Sequence, residues 1–407
     1  MKKDIFSKGD ILLPQSISLE NWSVIACDQY SSEIEYWERV RKNVDDNPST
    51  LNMIIPEAYL PDIELESEIT KITAAMNRCI TENIFQRIED SFVYVERTLS
   101  DGSVRCGLVG TVDLESYSFT DDTAAILASE GTVLDRLPAR IRVRSAANFE
   151  TTHVIAFIND AKMTVIEPLA KKTENYPLLY DFELMEGGGH IKGVRISGDD
   201  ADEIIAAMSA LHETGKPLIV IGDGNHSLAA AKVYWDELKQ SLTTAQRVNH
   251  PASRALLEIN NVYDSAIRIE AIHRAVFNVD PAEFINSLAA SVPAGNSYEI
   301  QWFSGGKSGI IGIEANCIGD MLASLQNFLD GYTQLTGCYI DYIHGEETVK
   351  RLSNEENCIG MILPAMVKAE LFGTVAARGV FPKKSFSVGH AQDKRYYLEC
   401  REIKQSC

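Results

Sequence analysis

The sequence predicts a mixed α/β protein, because short β-like apolar runs alternate with amphipathic helical stretches and no repeat recurs at a period of roughly 20 to 50 residues. Hydrophobic residues make up 45% of the 407 positions, enough for one large core or two or three smaller ones and too many for a disordered chain. The β-like runs are Trp22–Ala26, Ser91–Val95, Val154–Ile158 and Leu218–Ile221. The helical stretches are Ile63–Gln86, Asp200–Glu213, Leu228–Ser241 and Met321–Gly331. Turn residues cluster near 120 and 290, which predicts three lobes over 1–120, 121–290 and 291–407.

Composition excludes several classes of function. A formal charge of −20 repels a phosphate backbone, so no nucleic-acid partner is expected, although local basic clusters can still hold a small anion. No apolar segment follows the first lysines and none is long enough to span a bilayer, so a cytoplasmic protein without membrane contact is expected. Cys27, Cys79, Cys106, Cys317, Cys338, Cys358, Cys400 and Cys407 stand far apart, with no Cys-x-x-Cys and no zinc-type histidine spacing. They read as small buried hydrophobes.

The segment Lys216–Lys232 carries the chemistry. It reads as a buried strand, a glycine-bounded turn and an alanine-rich helix, which places Asp223, Gly224, Asn225, His226 and Ser227 at a strand end and a helix N-terminus. Unpaired amides and the positive end of the helix dipole favour phosphate or carboxylate there, and Gly222 and Gly224 admit close backbone approach. Asp223 suits a base or a metal-facing carboxylate, and His226 a phosphoryl hydrogen bond or a proton shuttle. The plainer reading is that Asn225 or Ser227 caps the helix and His226 packs.

Other motifs are weaker. Gly187-Gly-Gly-His190 reads as a flexible connection or an anion cradle, and no helix follows it directly. Gly305-Gly-Lys-Ser308 imitates the end of a P-loop, but Gln301 stands where the first glycine is required, so a hairpin turn is predicted. Arg136, Arg140, Arg142 and Arg144 read as a basic strand, whose last three would share one face and could clamp phosphate. His250 is placed in an extended loop within reach of the pocket, while His273 and His344 read as structural.

Jointly, several stretches resemble the long form of the DUF1015 family almost end to end, over about residues 10–402. They are Trp22-Ser-Val-Ile-Ala-Cys-Asp-Gln-Tyr30 with Glu35-Tyr-Trp37, Glu130-Gly-Thr-Val133, Gly222-Asp-Gly-Asn-His-Ser-Leu228, His250-Pro251, Ile272-His-Arg274 and Phe381-Pro-Lys-Lys-Ser-Phe-Ser387. More distantly, the Asp-Gly-x-His turn is similar to the Asp-Gly-His-His-Arg motif of free-serine kinases. Arg378-Gly-Val-Phe-Pro-Lys-Lys-Ser385 resembles their Gly-Glu-Val-Phe-Ser-Pro-Lys-Thr-Thr segment.

The second resemblance implies a ParB/sulfiredoxin-like core with additional α/β lobes, and a kinase that phosphorylates free L-serine from pyrophosphate, ATP or ADP, with Mg²⁺ accompanying the donor. Asp223 and His226 then match the motif's aspartate and second histidine. Lys383, Lys384 and Ser385 fall in the substrate segment of the C-terminal lobe, which would complete the site. Ser227 replaces the motif's arginine, so the missing charge falls to the arginines, Arg142 and Arg144 among them. The kinases' His-Glu base has no counterpart. Asp28 is preferred because it ends an apolar run, while Glu33 and Glu35 also suit an exposed helix start. A sulfiredoxin-like reductase would need a cysteine where Asn225 stands. A ParB-like DNA clamp conflicts with the charge. A non-catalytic regulator that binds a small anion or nucleotide is the remaining alternative.

Overall fold

The computed structural model of the chain describes residues 4–404. The strand Ile219–Asp223 lies inside a thirteen-stranded sheet, flanked by Ile126–Ala128 in parallel and by Ile155–Ile158 in antiparallel register. Arg254–Asn261 continues the sheet in parallel beside Ile155–Ile158, followed by the antiparallel run Val104–Asp113, Phe85–Thr98 and Gly9–Pro14. Central strands such as Ile219–Ile221 and Ala156–Ile158 are apolar throughout because both faces of the sheet are covered. Asp199–Leu211 and Asn225–Leu238 bury Ile204, Met208, Leu228 and Trp235 in one core, and Leu65–Thr81 buries Ile72 and Met76 in the other.

The chain divides into two units. The first comprises Met1–Ala128, Thr132–Ile267 and His390–Cys407, and the second Ser129–Gly131 with Arg268–Gly389. The second unit holds a five-stranded antiparallel sheet and a two-stranded one. The chain passes between units near 128–132, 267 and 389. Residue 120 falls in a loop within the first unit, and residue 290 falls inside the helix Pro281–Ser291 of the second. Turn clusters mark where the chain reverses, which it also does inside a unit.

The mixed α/β class stands, as do most predicted elements. Gly305 and Gly306 form the turn of the hairpin Ala294–Ser304 and Lys307–Ile313. Three local readings change. The helix read as Ile63–Gln86 is Leu65–Thr81, ended by Asn83 in the left-handed region at φ 52°, and Phe85 already opens the next strand. Trp22 closes a short helical turn and Ser23–Ala26 runs extended with one bridge, Ile25 to Tyr396, so burial rather than a strand explains its apolar run. Gly187–Gly189 links the antiparallel strands Leu178–Glu183 and His190–Ile196, and the Gly188 carbonyl accepts from Arg97. A Cβ on Gly189 would lie 2.2 Å from the Thr98 carbonyl, so the connection is packed against its neighbour rather than loose.

Seven cysteines are free thiols, four of them buried, and Cys407 lies outside the described residues. No helix among the described residues is long and apolar enough to cross a membrane.

Candidate active site

Close packing dictates the turn that ends Ile219–Asp223. A Cβ on Gly222 would lie 2.2 Å from the Phe157 ring. Gly224 has φ +75°, and a Cβ there would meet Val154 Cα at 3.0 Å and His153 Nε2 at 3.2 Å. Only glycine takes that conformation in that space. Gly224 is itself the N-cap of the helix Asn225–Leu238, and no side chain caps it.

Asn225 is therefore the first helical residue and not a cap. Its Oδ1 accepts from the Tyr117 hydroxyl at 2.9 Å and its Nδ2 donates to Thr132 Oγ1 at 2.8 Å. His226 Nε2 accepts the Val133 amide at 3.1 Å, which assigns the imidazole proton to Nδ1 and leaves that N–H as the donor. The two side chains thus hold residues 132–133 against the turn.

Asp28 reaches the same place from the far end of the sequence. Burial alone would push its carboxyl up, but His153, the Gln29 amide at 3.1 Å, Lys394 and Arg140 together hold it below the ordinary value. Lys394 Nζ is 3.2 Å from Asp223 Oδ2, while Asp223 Oδ1 accepts the Gly224 amide at 3.0 Å. Arg136 and Arg140 both close on the Glu57 carboxylate. Burial, reinforced by Arg136 and Arg140 and opposed by Asp28, depresses His226 to about 4, and His153 is lowered chiefly by burial.

His226 is consequently neutral at neutral pH, with its Nδ1–H left as a hydrogen-bond donor. A histidine depressed on folding favours the native state fully above its unfolded value of 6.5, and that contribution is lost as pH falls from 6.5 towards 4. Denaturant titrations at pH 7.5, 6 and 5 should show stability falling over that range, with a shallower fall in His226→Gln. An identical slope in the variant would remove His226 from the acid response.

The other expected residues separate. Arg136–Arg144 is not a strand: Leu137–Ala146 is a helix, opened by Pro138 in its first turn and built from alanine and arginine, which favour helix. At 100° per residue Arg140 and Arg144 share a face and Arg142 points away, to an exposed pair with Glu66 at 2.7 Å. Arg144 is tied to Glu150 at 2.7 Å. Glu33 lies exposed at the start of the helix Ile34–Val44, as does Glu35, and Asp28 is the carboxylate that joins the cluster. His250 is a buried N-cap whose Nδ1 accepts the Ala252 amide and whose ring packs on Trp235, near the far end of the helix that Asn225 begins. His273 Nδ1 accepts the Leu363 amide, a structural role.

Lys383, Lys384 and Ser385 belong to the second unit. There Lys383 is exposed and Lys384 stands 5.3 Å from the Tyr342 ring centre. Ser385 is buried, its hydroxyl donating to the Pro382 carbonyl and its amide donating to Glu130 Oε1. Ser227 remains at the turn, half-buried.

His153, Lys394 and Glu57 were not found from the sequence. Each is a single residue in a segment with no motif around it, and only its charge partners mark it. Strongly placed ionisable groups beside a helix N-terminus are the usual signature of a functional site.

The profile of the family described as a protein of unknown function, DUF1015, matches residues 11–400, so this chain belongs to the DUF1015 family. No curated protein matches the sequence. Among solved structures, a free serine kinase in complex with AMP aligns at 12% identity over 72% of this chain and 90% of that one, TM-score 0.38. SbnI with a C-terminal truncation from Staphylococcus aureus aligns at 10% identity, 69% and 82%, TM-score 0.37. A conserved hypothetical protein from Pyrococcus furiosus aligns at 14% identity, 72% and 94%, TM-score 0.35. These likenesses are loose, and the site has to be read from its own geometry.

Proposed function

We propose that this DUF1015 protein is a cytoplasmic small-molecule phosphotransferase that moves a phosphoryl group from pyrophosphate, ATP or ADP to the hydroxyl of free L-serine. One observation carries the reading: an ionised carboxylate, Asp28, stands among His153, Lys394 and Arg140 beside a glycine turn and an uncapped helix N-terminus. Phosphoryl transfer asks the protein mainly for positioning and charge stabilisation, and this cluster supplies both. The motif Asp223-Gly-Asn-His226 resembles that of the free-serine kinases, which supports the choice of acceptor.

In this scheme Asp28 takes the serine hydroxyl proton as the oxygen bonds to phosphorus. The bond from phosphorus to the donor's bridging oxygen breaks, and its electron pair leaves on the departing phosphate. Helix amides, the His226 Nδ1–H, Lys394 and Arg140 neutralise the transferred group. Asp223 holds Lys394 in place.

Mg²⁺ would enter on the donor's phosphate oxygens and neutralise their charge. Among the described residues no group of three or more His, Cys, Asp or Glu is arranged to hold an ion unaided. An ion carried by phosphates with one or two carboxylates, Asp28 or Asp223, suits that arrangement.

The test is incubation with L-serine, Mg²⁺ and, separately, pyrophosphate, ATP or ADP, with O-phosphoserine read by mass spectrometry. Formation with one donor, lost in Asp223→Asn and His226→Ala, is expected. No phosphoserine with any donor would overturn serine as acceptor.

A further inference from the structure

Within the first unit, a half-open recess of about 150 Å³ is walled on one side by the helix Leu137–Ala146, which contributes Arg140, Val143 and Arg144 to its lining. Met53, Ile55, Met76 and Phe149 give it an apolar wall. Cys27 and Ser227, which adjoin Asp28 and His226 in the chain, bring it beside the reacting groups. A smaller recess of about 30 Å³ shares Arg144, Glu150, His153 and Ser227 with it.

The charged wall is not neutral. Glu57 is shared by Arg136 and Arg140, and Glu150 by Arg144 and Arg401, so four guanidiniums meet two carboxylates. Glu150 does not need both of its arginines. Its Oε1 already accepts Arg401 Nε at 2.8 Å and the Leu256 amide at 2.9 Å, while Arg144 reaches Oε2 through Nη1 alone at 2.7 Å. Arg144 Nε and Nη2 are buried without a hydrogen-bond partner among the described residues, in a side chain only 12% exposed. A buried charged N–H with no acceptor is costly, so this edge calls for one. Nε and Nη2 are parallel donors of the guanidinium fork, whose geometry matches a carboxylate in two hydrogen bonds. Arg144 stands one helical turn from Arg140, a spacing of about 5 to 6 Å between β-carbons. A substrate whose hydroxyl is phosphorylated beside Arg140 and whose carboxylate sits on Arg144 therefore carries the two groups only a few bonds apart.

We propose that Arg144 is the specificity-determining residue for the acceptor, its Nε–Nη2 edge taking the carboxylate of a small hydroxy amino acid such as L-serine. The inference deepens the phosphotransferase reading and rests on it in calling that molecule the acceptor. The carboxylate supplies the acceptor that the buried edge lacks and offsets the surplus positive charge of the wall. Amino alcohols and amides that carry the hydroxyl without the carboxylate are the compounds this site rejects. Arg144 takes no part in bond making, so its removal acts on the KM for the acceptor rather than on kcat.

Binding is measured first on the full chain without a phosphate donor, by titration calorimetry and ligand-observed NMR, with L-serine, L-serinamide and inorganic phosphate as probes. L-Serine should bind about tenfold or more tighter than L-serinamide, the worth of a charge-assisted pair. Arg144→Met should weaken L-serine at least about tenfold and leave L-serinamide within about threefold, the second result showing that the recess is intact. Arg144→Lys keeps the charge beside Glu150 but not the fork, so most of the preference should be lost, and it serves in place of the methionine variant should that one fail to fold. In the transfer assay both variants should raise the KM for serine and leave kcat within about threefold. No binding of L-serine, L-serinamide bound as tightly as L-serine, L-serine binding indifferent to both variants, or a loss confined to inorganic phosphate would overturn the anchor. If L-serine binds through Arg144 yet no donor yields O-phosphoserine, the anchor stands and the transfer reading falls. If O-phosphoserine forms with an unchanged KM in the variants, the reverse holds.

Discussion

Asp28→Asn is expected to lower phosphoryl transfer by about 100- to 10,000-fold, the usual worth of a positioned general base. The amide keeps the shape of the carboxylate and can still meet Gln29, but it cannot take a proton. Donor binding should change little, because the groups assigned to the phosphate are the helix amides, His226, Lys394 and Arg140. The loss should therefore appear in kcat and not in the affinity for the donor. Because His153, Lys394 and Arg140 hold the Asp28 carboxyl below its ordinary 3.8, the acid limb of the rate should lie below that value unless folding fails first. A variant that keeps more than about a tenth of the wild-type rate would move the base elsewhere.

Arg395→Met should cost about 3 to 5 kcal/mol of folding stability, measured by denaturant unfolding. Arg395 is almost wholly buried and meets Glu258 at 2.8 Å and Glu399 at 2.6 Å, both carboxylates buried too. Removing the guanidinium leaves two negative charges in a low dielectric, with only Arg105, the Asn260 amide and the Tyr180 hydroxyl to compensate. The Glu258 carboxyl is penalised by burial yet lowered overall by Arg395 and Arg105, so its contribution is present above about 4.5 and is lost as pH falls through its depressed value. Lys71→Met, which breaks an exposed pair with Glu68, should cost at most about 1 kcal/mol. Similar losses in the two variants would mean that the buried network relaxes or admits water. Arg395 also binds the Thr152 carbonyl, next to His153, and adjoins Lys394, so the network also places two residues of the site.

Local order was legible in the residues because it is governed by neighbours in the chain. The apolar run Leu218–Ile221, two glycines and an alanine-rich stretch leave little choice but a strand, a tight turn and a helix, and that is what forms. Gly305 and Gly306 between two alternating runs specify a hairpin in the same way. The motifs spread along the chain point to the family, and the family profile matches the chain almost throughout.

Local pattern also misled where two structures share one signature. Arginines at 140, 142 and 144 suit one face of a strand as well as two faces of a helix, and Pro138 with the surrounding helix formers decides for the helix. Only the tertiary structure brings Asp28, Glu57, Arg140, His153, Asp223 and Lys394 together. Each comes from a different segment, separated by tens to hundreds of residues. The physical reason is that sheet pairing and core burial set these approaches, and a lone histidine or lysine leaves no periodic trace of the charge it will face. The depressed His226 and His153 follow from burial and neighbouring charge, which exist only once the chain has folded.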